Sequence, residues 1–406
     1  MESNKRVKKR ILVATTLFPN KNQKRHGIFV ATRLRHLLAS GEIEAQVIAP
    51  VPWFPFKFPS MGKYSIYADI PAHEECNGIQ VFHPRYLVIP KIGMLLTPFF
   101  LAISLFFCAI KVRKSGFKFD LLDGHYFYPD GIATAIVAKL LKVPYVITAR
   151  GTDINLISKF RIPAKLIRWA AAGASANITV SRALKDKMVA LGVSPEKIAV
   201  LRNGVDTNLF VMNDPALIRQ KLKITGTVLL SVGNLVELKG HSLIVQALAE
   251  LPDCKLIIVG QGEEHEKLQR IAMELNVSDR VIYIKDVSQS ELARIYSAAD
   301  LLILASSREG WPNVLLESMA CGTPVLATRV GGTPEIVNAK EAGLLIDERS
   351  TDSIVSGVKR LLNSPPLSED TRKYAENFSW DCTVTELATL LDKVVTAQEV
   401  MTGNDI

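Results

Sequence analysis

Twelve short apolar, β-branched runs separated by helix-patterned stretches constrain this chain more than any other feature. In the first half they are ILVAT (11–15), QVIAP (46–50), IQVFHP (79–84), FDLLDGH (119–125), PYVITARG (144–151) and ANITVS (176–181). In the second they are TVLLSVGN (227–234), CKLIIVGQG (254–262), RVIYIKDV (280–287), DLLILAS (300–306), TPVLATRVGG (323–332) and GLLI (343–346). Helical periodicity fits 29–38, 132–141 and 183–191, then 242–250, 263–275, 290–299, 314–320 and 351–362. Strands without polar alternation are buried on both faces, which is the mark of parallel sheets covered by helices. The predicted class is α/β, with two Rossmann-like, doubly wound parallel-sheet domains in tandem.

A length of 406 residues suits two such domains. The expected boundaries are 1–207, 208–373 and a helical segment 374–406 that packs back on the first domain. Ligands of doubly wound sheets bind beyond the carboxyl ends of the strands, so the expected site is a cleft faced by both domains.

The net charge of +9 conceals an asymmetry. The first 205 residues carry 30 Lys and Arg against 12 Asp and Glu, and the remainder 19 against 28. A basic half suits an anionic partner, whether a phosphorylated substrate or a membrane surface. The five cysteines are dispersed and form no CxxC, which argues against a disulfide framework or zinc site and for a reducing, cytoplasmic compartment. The opening MESNKRVKKRILVATTLFPN lacks a small-residue cleavage site and reads as a buried first strand. The run 94–110 (MLLTPFFLAISLFFCAI) is short of the roughly 20 apolar residues of a spanning helix and contains Pro98. It fits a core helix of the first domain, or an interfacial helix whose following basic residues meet lipid headgroups.

Glu309 and Glu317 lie in SSREGWPNVLLESMACGTPVLAT, where a strand ends in a loop and a helix begins at Pro312, Asn313 and Val314. Free amides at such a helix start suit a pyrophosphate. Two glutamates alone there would commonly compensate the helix dipole. Beside a phosphate site they can instead accept hydrogen bonds from hydroxyls, as ionised acceptors do strongly. SVGNLVELKG (231–240) places Lys239 before another helix, and VGQGEEHEKL (259–268) has Gly262 in a strand-to-helix turn too short of glycines for a dinucleotide fingerprint.

These motifs, in this order over nearly the whole chain, resemble the GT-B glycosyltransferases, in particular the retaining glycosyltransferase family four. Its signature E-x7-E matches Glu309 and Glu317. The resemblance implies that Glu309 contacts the donor sugar, Glu317 holds the ribose and Lys239 neutralises the pyrophosphate. It places Val287 near the nucleobase, Gly262 near the donor, His125 at the donor sugar, and Gly27 where backbone approaches phosphate; Asp153, just after a strand end, is expected from that position to accept from an acceptor or donor hydroxyl. Asn234 stands where the family usually carries an arginine; Arg202 or Arg308 is the expected substitute.

The implied activity is hexosyl transfer from a nucleoside diphosphate sugar to an acceptor hydroxyl with retention of configuration. No DxD occurs, in keeping with a diphosphate neutralised by Lys239 and a helix start, with no metal and no other cofactor. PNxxxxxHGIFV (19–30) and HPRYLVIPKIGM (83–94) resemble teichuronic-acid and exopolysaccharide-type enzymes. That likeness, with the basic first half, implies a lipid-linked or polysaccharide acceptor in cell-envelope glycan synthesis. It places the protein in the cytoplasm, peripheral at the inner face of an anionic plasma membrane. The aromatic, proline-rich 51–60 suits an acceptor or membrane face, and no basic-aromatic interleaving supports a nucleic-acid partner. Two alternatives remain open: a nucleotide-sugar 2-epimerase on the same fold, or a non-catalytic scaffold.

Overall fold

Apolar runs become strands wherever both faces can be covered, and the computed structural model follows that rule twice. It describes residues 8–53, 65–89 and 93–403. The chain divides into two units, Met1–Arg202 with Asp381–Ile406, and Asn203–Trp380.

The first unit carries strands β1 (Lys9–Ala14), β2 (Ile43–Ile48), β3 (Val51–Pro52), β4 (His73–Cys76), β5 (Ile79–Phe82), β6 (Arg85–Tyr86), β7 (Leu121–His125), β8 (Tyr145–Ala149), β9 (Ala176–Thr179) and β10 (Ile198–Val200). Eight of them form one sheet in the order β10-β9-β8-β7-β1-β2-β5-β4, and β3 pairs with β6. All neighbours in the large sheet are parallel except β4 on β5. β1 sits at the centre, with Val13 opposite Val47 on one side and Asp123 on the other. Its core gathers Ile11, Val13, Val47, Leu121 and Ile178 with Val30, Leu34 and Leu37 of the helix Ile28–Ala39.

The second unit carries β11 (Thr227–Val232), β12 (Cys254–Val259), β13 (Val281–Ile284), β14 (Leu301–Leu304), β15 (Val325–Thr328) and β16 (Gly343–Ile346). Their order is β13-β12-β11-β14-β15-β16, all parallel. Counted from β11 this is 3-2-1-4-5-6, the Rossmann order.

Two expectations shift. The helix Ser368–Glu376 belongs to the second unit, so the return to the first falls at Asp381 rather than 374. The cause is Arg372, whose guanidinium donates to the carbonyls of Phe210, Ala320 (2.6 Å) and Thr207 (2.9 Å). The final helix, Trp380–Gly403, then fills the first unit's core with Leu387, Leu391, Val394 and Val395.

The apolar run becomes the helix Gly93–Lys114, whose 22 residues are long and apolar enough to cross a membrane by length and composition. Length alone therefore does not exclude a span. What decides its place is burial, because Leu101, Leu105, Ala109 and Val112 are packed inside the unit. Pro98 removes the N–H that would serve the carbonyl of Met94. The hydroxyl of Tyr128, from the loop after β7, donates to that carbonyl instead.

Lastly, most of the aromatic stretch 51–60 lies outside the described residues.

Candidate active site

In a 3-2-1-4-5-6 sheet the crevice opens where strand order reverses, at the carboxyl ends of β11 and β14. The loops leaving these two strands carry Lys239 and Glu309. Lys239 ends the single turn Glu237–Lys239 after β11. Its Nζ donates to Glu309 Oε1 at 2.6 Å, and Ser306 Oγ donates to the same oxygen at 2.7 Å. Both ionic side chains are mostly covered, at 21% and 10% exposure, so the pair is screened less than a surface one. An ammonium has three N–H donors, and one bond to Glu309 leaves capacity for a phosphate oxygen.

The helix Asn313–Ala320 starts immediately beyond this pair. Its N-cap is Pro312, no side chain caps it, and no acidic residue sits in its first turn. Its leading amides are thus suited to an anion. Trp311 donates its indole N–H to the carbonyl of Asn203 at 2.9 Å, and Asn203 Nδ2 donates to Asn313 Oδ1 at 3.2 Å. The residues around the helix start are therefore held from behind. Asn313, Val314 and Glu317 are the half-buried members of the first two turns and share one face. Glu317 Oε2 accepts from the Tyr296 hydroxyl at 2.9 Å. Burial pushes the Glu317 carboxyl up to about 7, against the opposing effect of that bond.

Asn234 is exposed and supplies no cation. Its carbonyl accepts from His241 Nε2 at 3.2 Å, and Ser231 Oγ donates to His241 Nδ1 at 2.9 Å. Burial pushes His241 down to about 4, so the ring is neutral at pH 7 and serves to fix the loop. Arg308 lies in the same unit as Lys239, and its buried Nε meets no hydrogen-bond partner among the described residues. Arg202 closes the first unit, where its carbonyl accepts from Thr383 Oγ1 at 2.7 Å. A Cβ on Gly262 would lie 2.2 Å from the Leu235 carbonyl oxygen, so packing on that loop already requires glycine there. Val287 is half-buried in the loop after β13.

The first unit reverses strand order between β1 and β7, and His125 is the last residue of β7. It is buried between Asp123, 3.1 Å from Nε2, and the Arg150 guanidinium, 2.5 Å from Nδ1. Burial pushes it down to about 4, with the Asp123 carboxylate opposing and Arg150 reinforcing the shift. The neutral ring that fits donates from Nε2 to Asp123 and accepts at Nδ1. Arg33, buried in the helix Ile28–Ala39, donates to Thr148 Oγ1 at 3.2 Å, while its Nε and Nη2 meet no hydrogen-bond partner among the described residues. Asp153 is fully buried, and its carboxylate accepts from the amides of Phe127 (2.8 Å), Gly151 (2.8 Å) and Arg150 (3.2 Å). It holds loops together, with no oxygen turned to a surface. Gly27 has φ of 63°, and a Cβ there would lie 2.1 Å from the backbone of Leu17. The close approach that requires glycine is to the chain's own loop. Beside these, a cavity of about 170 Å³ is lined by Thr16, Asn20, His26, Tyr67, His83 and Tyr86.

Sequence reasoning passed over Tyr296, Ser306, His241, Arg33 and Asp123. Only Asp123 had a legible signal, because Asp-x-His on a strand puts both side chains on one face.

Two Rossmann-like units, each with its polar cluster at the point of strand reversal, make a GT-B fold. Comparison with known proteins carries this further. The family described as "Glycosyl transferases group 1" matches residues 215–378, and "Glycosyltransferase Family 4" matches 30–209. The chain belongs to the group 1 glycosyltransferases, enzymes of hexosyltransferase type. It is 29% identical over 256 residues to the N-acetyl-alpha-D-glucosaminyl L-malate synthase of Bacillus anthracis, covering 61% of this chain and 66% of the relative. It is 28% identical over 359 residues to the glycosyltransferase TuaC of Bacillus subtilis, which is provisionally assigned to teichuronic acid biosynthesis, covering 86% and 88%. Anabaena HepE, solved in complex with UDP-glucose, shares the fold at a TM-score of 0.73 and 19% identity, over 95% of this chain and 99% of that one.

Proposed function

We propose that the protein transfers a hexosyl group from a nucleoside diphosphate sugar to a hydroxyl of a lipid-linked or polysaccharide acceptor, with retention of configuration. The observation that carries this is the Lys239–Glu309 pair at the β11/β14 reversal, set against the uncapped start of helix Asn313–Ala320. A diphosphate is neutralised by Lys239 and the helix amides, aided by Arg308 in place of the cation that Asn234 lacks. Glu309 accepts from hydroxyls of the donor sugar, and Glu317 from those of the ribose. The bond from the anomeric carbon to the diphosphate oxygen breaks. The acceptor oxygen bonds that carbon from the same face, and its proton passes to the leaving diphosphate. His125, neutral and held by Asp123, serves the sugar as a hydrogen-bonding group rather than as a cation. Nothing in this step requires a metal, so turnover should persist in EDTA. HepE and TuaC support a nucleotide-sugar donor and an envelope glycan product. The place of action is the cytoplasmic face of the membrane.

The test is nucleoside diphosphate release across a panel of nucleotide sugars, with and without bacterial lipid extract. One donor should respond to acceptor, the product should keep the donor's anomeric configuration by NMR, and Glu309→Gln should lose about 100-fold or more in rate. Absence of release from every donor under both conditions overturns the reading. Epimerised donor without acceptor assigns the chain to isomerisation instead.

A further inference from the structure

The helix Gly93–Lys114 is half core and half surface, and both halves are apolar. Its inner face holds Leu101, Leu105, Ala109 and Val112, each 2% exposed or less. Its outer face presents Leu96 (37% exposed), Phe99 (46%), Ile103 (56%) and Phe107 (67%). The spacings of three, four and four residues put these on one stripe, roughly 16 Å long at 1.5 Å per residue. An outward helix face of a soluble unit is normally polar, so four large apolar groups in line call for a partner.

The residues that follow say which. Lys111, Lys114 and Lys118 are all exposed, and from Gly93 to Lys118 there is no Asp or Glu. An apolar ridge that ends in cations without a single carboxylate matches acyl chains bordered by phosphate. The first 205 residues, with 30 basic against 12 acidic side chains, extend the same sign over the unit. The helix also packs against β6, whose Tyr86 lines the 170 Å³ cavity.

We infer that this ridge seats the first unit on an anionic bilayer, with the helix lying in the interface and its inner face remaining in the protein. The helix does not cross, because crossing would strip Leu101, Leu105, Ala109 and Val112 out of the core they complete. The purpose of the contact rests on the proposed lipid-linked acceptor, but its test does not.

Full-length protein is sedimented with vesicles of phosphatidylcholine alone, and of phosphatidylcholine with about one third phosphatidylglycerol. Binding should favour the anionic vesicles, weaken with salt, and be released by alkaline carbonate. The ridge variant Phe99→Ser/Ile103→Ser/Phe107→Ser changes only outward groups. It should lose about tenfold or more in vesicle affinity while keeping wild-type circular dichroism. Lys111→Glu/Lys114→Glu/Lys118→Glu should abolish the preference for anionic lipid. Wild-type protein that stays in the supernatant with both vesicles overturns the inference, as does a folded ridge variant that binds undiminished. Resistance to carbonate would mean a crossing helix and overturns it too. So would a wild-type dimer that ignores vesicles and becomes monomeric in the ridge variant, since the ridge would then belong to a second copy. Transfer to a water-soluble acceptor is followed in parallel: its loss with vesicle binding intact counts against the transferase reading alone.

Discussion

Glu317 is a site residue whose charge changes with pH near neutrality. Its carboxyl is raised by burial from an ordinary 4.5 to about 7. The native state therefore holds a proton that the unfolded chain has already released. Stability from this group is full below pH 4.5 and is lost as pH rises through about 7. Binding runs the other way, because the ionised form is the better acceptor for ribose hydroxyls. Between pH 6 and 8 the wild-type Tm should fall by a few degrees more than that of Glu317→Gln, measured by differential scanning fluorimetry. Asp130, also raised to about 7 by burial, tilts both proteins alike, so the difference isolates Glu317. Tyr296→Phe removes the bond that opposes the shift, and the pH midpoint of nucleoside diphosphate affinity should move upward. An unmoved midpoint would show that Tyr296 only packs. At this scale the pair Glu309 and Glu317 was legible because an eight-residue step on a strand-loop-helix is a sequence feature. Tyr296, Ser306 and His241 were not, because their partners lie 21, 3 and 7 residues away across turns whose geometry only packing fixes.

The elements show why some of the fold could be read and some not. Every expected strand formed, since an unbroken apolar run has few other ways to bury its backbone. β4, with the sequence HEEC, escaped notice because an antiparallel edge strand needs no apolar run, and β10 because three residues carry no period. The apolar helix runs four residues past the expected run at its carboxyl end, and Pro98 inside it makes a break that Tyr128 repairs. That repair is testable. Tyr128→Phe leaves the Met94 carbonyl without its donor and should cost about 1–3 kcal/mol, read as a lower urea midpoint. An unchanged midpoint would mean that water serves the carbonyl equally well.

Over the whole molecule, the first unit is discontinuous in sequence, and its last part supplies core. Leu391 is 1% exposed among Val13, Val47 and Leu387. Leu391→Ala should destabilise the first unit by about 2–5 kcal/mol, followed by urea unfolding. A saturating nucleoside diphosphate stabilises the unit that binds it, by about 2.7 kcal/mol at 100 times Kd. Added ligand should therefore separate the two transitions further in the variant than in the wild type, and a single shared transition would show that the units unfold together. Length hinted at two domains and the helical pattern from 374 at a return to the first; the structure moves the point of this exchange to Asp381.

The exchange also orders events during synthesis. A ribosome delivers the whole of Asn203–Trp380 before it delivers Leu387, Leu391, Val394 and Val395. The unit made first is thus completed last. While the second unit is being translated, the nascent first unit leaves a groove beside β1 and β2 for which no residue has yet emerged. That interval is when a holdase has most to offer, and when a stalled chain is most exposed to proteolysis.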